Sequence, residues 1–205
     1  MANQKNIINW FIKNHERIGL KVNKVNWPRK WWPEVSDYEV HSTINSVQSI
    51  GRGIDINSEL AFTKACVESV ERYVCSAENI NSNGLAFHAN LFSCQEHAKR
   101  ELIERKVIKK LFASREALQD LNYEDFGLGD LGIRLNNNSA QLLLKKVIVD
   151  ELVIVLSCIV SSKRFDHNEL FLGFSCGKDE STVARKAVSE SVVSYTAINL
   201  SLIHI

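Results

Sequence analysis

Residues 51–73, GRGIDINSELAFTKACVESVERY, decide the fold. Gly51-Arg52-Gly53 reads as a turn, since glycine relaxes the backbone on both sides of one arginine. Asn57 to Cys75 then carries apolar residues at helical spacing, with Asn57 or Ser58 as cap and Glu59 in the first turn, where the helix dipole favours an acid. Upstream, Asp37 to Ile50 alternates as strands do. Asn6 to Ile18 reads as an amphipathic helix with Ile7, Ile8, Trp10, Phe11 and Ile12 on its apolar side and Gly19 as its stop. Between them VNWPRKWWPEV holds both prolines and three of the four tryptophans, which predicts a loop pinned by large rings.

Downstream, SNGLAFHAN at 82–90 opens as a turn and continues as an extended piece, and 93–114 is a second long helix. The β-branched runs 139–149 and 152–161, split by Asp150-Glu151, predict a hairpin. Residues 170–176 form another strand and 181–198 a third long helix. Four helices interleaved with strands give an α/β or layered α+β architecture, with long helices packed on mixed or antiparallel sheets.

Composition bounds what such a fold can do. The 205 residues are 45% apolar and 24% charged, enough for one ordinary core and too apolar for a disordered chain. Twenty-five basic against 24 acidic residues leave a charge of +1, which argues against nucleic acid or a membrane surface as the general partner. The longest apolar run, LVIVLSCIV at 152–160, is far short of the roughly 20 residues of a membrane helix. The N-terminus lacks the pattern of a signal peptide, and no two of the five cysteines have C-x-x-C spacing. These features predict a cytoplasmic globular domain. Lone histidines His41, His88 and His97 read as structural, and the acidic pairs 124–125 and 150–151 as solvated turns.

The three long helices echo one another. CVESVERY carries Glu68, Glu71 and Arg72, and RELIERKV carries Glu101, Glu104 and Arg105. VSESVVSY keeps Glu190 and little else. Acids three apart share one helix face, and an arginine four after the first acid lies beside it. Two such helices could present four carboxylates to one point, an arrangement that repels itself unless divalent cations fill it. Oxygen ligands select Mg²⁺ or Ca²⁺ over zinc, and Mg²⁺ commonly arrives with phosphates. One E-x-x-E-R copy alone would suit an ordinary solvated helix; the second copy, following SNGLA, raises the metal reading to parity with it.

In order, GRGIDINSELAFTKACVESVERY, SNGLAFHANLFSCQEHAKRELIER and FLGFSCGKDESTVARKAVSESV resemble the marks of the YcaO family over about Val40 to Tyr195. The resemblance implies a domain that binds ATP and Mg²⁺ without a P-loop, and the chain has no G-x-x-x-x-G-K-[ST]. It implies ATP-dependent activation of peptide backbone amides, with azoline (thiazoline or oxazoline) formation in a ribosomally made, bacteriocin-like peptide. Residue by residue, it implies Glu68, Glu71, Glu101, Glu104 and Glu190 as magnesium ligands. Arg72, Asn83, Arg105 and Lys186 are implied on the nucleotide side, and His88 lies in the adjoining stretch. A peptide substrate, a leader-peptide-binding partner protein and a homodimer complete the expectation.

The sequence departs from the family pattern at Lys64, where a small hydroxyl residue is usual, and at Ala89, Ser93, Lys106 and Val193, where polar or acidic residues are usual. Lys186, beside Arg185, stands where the family has arginine, and Glu96 is the nearest substitute for an acid at Ser93. These departures support the alternative of a catalytically silent YcaO-like scaffold or partner subunit. The expected organisation is 1–39 as helix and Trp/Pro-rich lead-in, 40–199 as a partial YcaO-like domain, incomplete at the C-terminus, and 200–205 (LSLIHI) as an adapter-derived tail after which the natural protein continues. Such a chain would expose strand edges and self-associate.

Overall fold

The computed structural model describes residues 2–88, 90–113, 118–162 and 168–201. Ala89 and most of the 200–205 tail lie outside the described residues. In order, the elements are α1 (Ala2–Asn14), β1 (Lys21–Val25), β2 (Ser36–Ile44), β3 (Val47–Asp55), α2 (Ser58–Glu78), α3 (Leu91–Ala113), β4 (Gln119–Leu121), α4 (Gly129–Asn136), β5 (Ala140–Val149), β6 (Leu152–Ser161), β7 (Glu169–Gly177) and α5 (Glu180–Ser201). Two short 3₁₀ turns lie at Pro28–Lys30 and Tyr123–Phe126. The chain divides into two compact units, 1–26 with 34–102, and 27–33 with 103–205.

The first unit is an antiparallel sheet, order β1-β2-β3, with α2 on it. The β2–β3 turn falls at Asn45-Ser46, both at positive φ, the two-residue geometry whose twist suits a hairpin. This corrects the expected turn at Gly51-Arg52-Gly53: β3 runs straight through those residues. The glycines serve close packing instead. A Cβ on Gly51 would lie 2.1 Å from the Ala65 carbonyl oxygen, and one on Gly53 2.0 Å from that of Ala61. Asn57 caps α2 as expected, its Oδ1 accepting the Glu59 and Leu60 N–H groups.

Among the described residues of α1 only Ile7 and Phe11, one turn apart, are buried; Trp10 and Ile12 are exposed, so the apolar side is narrower than the pattern suggested. The helix also ends earlier, at Asn14, and Gly19 closes the following turn at φ +53°. Ile7, Phe11, Ile18, Val40, Ala65 and Cys66 form the core. Burial pushes the Cys66 thiol up to about 12, so it stays protonated and inert near neutrality. Thiol labelling at pH 8 followed by mass spectrometry should modify half-buried Cys75 while leaving Cys66 untouched until the protein unfolds; early labelling of Cys66 would contradict its burial.

The second unit is an antiparallel sheet, order β4-β5-β6-β7, with α5 packed on β6 and β7. Its β5–β6 turn is Asp150-Glu151, as expected, again with both residues at positive φ. Tyr195 is fully buried between Trp31 and Phe171, at ring-centroid distances of 5.1 and 5.2 Å. Trp31 and Trp32 thus pin the Trp/Pro segment, while Trp27 is exposed. The pair Glu124-Asp125 sits in a 3₁₀ turn capped by Asn122. No helix among the described residues is long and apolar enough to cross a membrane.

Candidate functional site

In the first unit the close approach of β3 and α2 brings Glu68 to the open edge of the sheet. Glu68 Oε2 accepts the Arg52 backbone N–H at 2.9 Å, and Oε1 pairs with Arg72 Nη2 at 2.5 Å, the i,i+4 contact read from the sequence. One turn on, Glu71 Oε1 accepts the Phe87 N–H at 2.7 Å and so fastens the 82–90 loop to α2. That loop turns at Gly84, φ +75°, where Leu85 N–H donates to the Ser82 carbonyl. Asn83 is exposed, its N–H on Asn81 Oδ1 at 3.0 Å. Past the turn the described residues of the loop form no strand. Asn90 then caps α3, its Oδ1 accepting the Ser93 N–H at 2.8 Å. His88 sits between these two fastenings, and its ring Nδ1 is buried with no hydrogen-bond partner among the described residues. Glu101 lies half-buried further along α3.

In the second unit Glu190 repeats what Glu68 does. Gly173 of β7 allows α5 so close that a Cβ there would lie 2.0 Å from the Ala187 carbonyl oxygen, and Glu190 Oε2 accepts the Phe174 N–H at 3.2 Å. Solvent reaches Glu190, yet the protein packed around its carboxylate desolvates it and raises its pKa. Lys186, the Phe174 N–H and Arg105 act in the opposite direction, and the Glu104 charge adds to the rise. Glu104, Arg105 and Lys186 are therefore each within electrostatic reach of Glu190. The five acids divide as Glu68, Glu71 and Glu101 in the first unit and Glu104 and Glu190 in the second.

The third helix keeps more than Glu190. KACVESVERY at 64–73 and KAVSESVVSY at 186–195 share Lys, Ala, Glu, Ser, Val and Tyr in register, and Gly51 and Gly173 stand at the same separation. Ser69 Oγ donates to the Cys66 carbonyl, and Ser191 Oγ to the Val188 carbonyl, again in register. Asn57 Oδ1 accepts the N–H three residues on, and Asp179 Oδ2 does likewise for Thr182. E-x-x-E-R by itself hides this match, because Val193 and Ser194 stand where Glu71 and Arg72 do; K-A-x-x-E-S-V-x-x-Y shows it. Each cassette places one carboxylate on an edge-strand N–H, which also blunts that edge against pairing with another chain.

Two further features bear on the site. Lys64 Nζ is tied to Asp55 Oδ2 at 2.6 Å and to the Ile54 carbonyl at 3.3 Å. Arg52, whose N–H holds Glu68, grips the fully buried Asp37 with three hydrogen bonds of 2.6 to 3.2 Å. Sequence reading missed that pair, and the only signal was an arginine between two glycines. Among the described residues no three His, Cys, Asp or Glu side chains stand close enough to hold a metal unaided. The donor chemistry fits Mg²⁺, which is commonly held by one or two carboxylates together with phosphate oxygens.

No family model matches the sequence, and no curated protein does. Solved structures do. A YcaO from Methanopyrus kandleri bound with AMPPCP and Mg²⁺ superposes with a TM-score of 0.73 at 12% identity, over 92% of this chain and 66% of that one. A heterocyclase in complex with substrate and cofactor gives a TM-score of 0.71 at 12% identity, over 93% of this chain and 39% of that one. The chain thus spans less than two thirds of the length of either protein. The fold of this chain is YcaO-like, mixed α and β on two antiparallel sheets.

Proposed function

We propose that the chain binds ATP with Mg²⁺ and activates backbone amides of a peptide, forming azolines in a ribosomally made, bacteriocin-like substrate in the cytoplasm. One observation supports this most: Glu68, Glu71 and Glu190 are each fixed by a backbone N–H, in a fold shared with a YcaO bound to AMPPCP and Mg²⁺. A carboxylate held this way needs little reorganisation to meet a cation. Glu68, Glu71, Glu101, Glu104 and Glu190 would hold magnesium. Arg72, Asn83, Arg105 and Lys186 would meet phosphate, the arginines and lysine through charge-assisted hydrogen bonds. A bound nucleotide would supply the phosphoryl group that makes the amide oxygen a leaving group once a Cys, Ser or Thr side chain has attacked the carbonyl. A leader-peptide-binding protein would deliver the peptide, and the domain would work as a homodimer.

A second reading, a silent YcaO-like partner subunit, draws support from Lys64, which is locked to Asp55 where a small hydroxyl residue would be expected. Calorimetry with ATP and Mg²⁺ tests the first reading, which predicts saturable, magnesium-dependent binding. Glu101→Gln should abolish product formation while leaving partner binding intact. If parent and variant are equally inert yet both bind the partner, the scaffold reading holds instead.

A further inference from the structure

We infer that His88 is a ligand-contacting residue, whose imidazole Nδ1–H donates to a phosphate oxygen of the bound magnesium nucleotide; this rests on the function proposed above. Its Nδ1 is buried and has no hydrogen-bond partner among the described residues. A buried polar atom without a hydrogen bond forfeits its full hydration, and native proteins keep few of them.

The chain on both sides of His88 is tied down. On one side Phe87 N–H is held by Glu71 Oε1 at 2.7 Å, and the Ala86 carbonyl accepts from Cys94 Sγ. On the other side Asn90 is committed to α3, with Ser93 N–H on its Oδ1 at 2.8 Å and Cys94 N–H on its carbonyl at 3.1 Å. The His88 backbone is therefore held between two fixed neighbours, one of them bonded to a carboxylate that the proposed function gives to magnesium. Phosphate oxygens accept and do not donate, so they call for the Nδ1–H tautomer. A donor fixed before binding loses little freedom when the ligand arrives.

Three variants and one spectrum decide the matter, all on the full chain with Mg²⁺ and AMPPCP as the probe. His88→Leu removes the orphan nitrogen while keeping bulk, so its Tm should equal or exceed the parent's, and its affinity should fall about ten- to hundredfold, the worth of one hydrogen bond to a charged group. His88→Asn, which places an N–H close to the position of Nδ1, should keep most of the affinity. His88→Ala should lose it as Leu does. In the parent, the ¹⁵N resonance of His88 Nδ1 should move on addition of Mg²⁺-AMPPCP. The inference is overturned if His88→Leu binds like the parent, if the resonance stays put, or if the Leu variant melts well below the parent, which would give Nδ1 a structural partner. A parent that binds no nucleotide overturns the functional reading itself, and this inference with it; a parent that binds while His88→Leu binds equally well overturns this inference alone.

Discussion

Gly51→Val is expected to abolish cooperative folding of the first unit. Even the Cβ alone would sit 2.1 Å from the Ala65 carbonyl oxygen and 2.2 Å from the Ser69 nitrogen. Those are backbone atoms of α2, so no side chain can swing aside, and the helix would have to lift by about an ångström or more to restore normal contact. Lifting it opens the packing around Ala61, Ala65 and Cys66, all fully buried. Overpacking alone commonly costs about 1–3 kcal/mol, and adding the lost helix contacts takes the expected total beyond about 4 kcal/mol. A domain's whole stability is about 5–15 kcal/mol. Gly173→Val should do the same to the second unit, where a Cβ would lie 2.0 Å from the Ala187 carbonyl oxygen. Gly129→Ala is the control: its nearest neighbour is Glu124 Cγ at 3.9 Å, and alanine suits the start of α4. Thermal melts followed by circular dichroism would show the contrast, and a Gly51→Val melt within a few degrees of the parent would refute the close-packing account.

The same glycines show where the sequence was legible and where it was not. A glycine pair flanking one residue signals backbone freedom, and sequence alone cannot tell a turn from a strand that a helix must approach closely. The real turn, Asn45-Ser46, has no glycine, so it gave no comparable signal. Long periodic segments fared better: α2, α3, α5 and the β5–β6 hairpin lie within a few residues of where the pattern puts them. The elements overlooked have weak patterns for physical reasons. β1, KVNKV, is an almost wholly exposed edge strand with little alternation, β4 is only three residues long, and α4, GDLGIRLN, opens on glycine and carries a second one inside. E-x-x-E-R singled out Glu68, Glu71, Glu101 and Glu104 as candidates because charged residues at fixed helical spacing are a local property. What fixes the carboxylates is non-local: the Arg52, Phe87 and Phe174 N–H groups each lie sixteen residues from the acid they bind.

Non-locality also hid the pair behind the second large effect. Arg52 faces Glu39 directly across the β2–β3 ladder, but the Glu39 carboxylate is taken by His41 Nε2 at 2.6 Å. Arg52 reaches instead to the diagonal neighbour Asp37, with Nε at 3.1 and 3.2 Å from the two carboxylate oxygens and Nη2 at 2.6 Å. The Asp37 side chain is 0% exposed and that of Arg52 23%. Asp37→Ala removes the fully buried carboxylate that the part-buried Arg52 guanidinium grips, and breaking a buried pair costs about 3–5 kcal/mol. Arg52→Met should cost a similar amount, because it strands the carboxylate. The double variant Asp37→Leu/Arg52→Met, which leaves no charge behind, should recover most of the loss, since well-packed apolar residues can replace a buried pair at little cost. A double-mutant cycle by denaturant unfolding measures all three; single-variant losses below about 1 kcal/mol would place the pair with exposed salt bridges and refute its buried character. Because Arg52 also gives its N–H to Glu68 at 2.9 Å, the single variants should loosen that carboxylate, and the nucleotide binding proposed above should weaken in them even at temperatures where they remain folded.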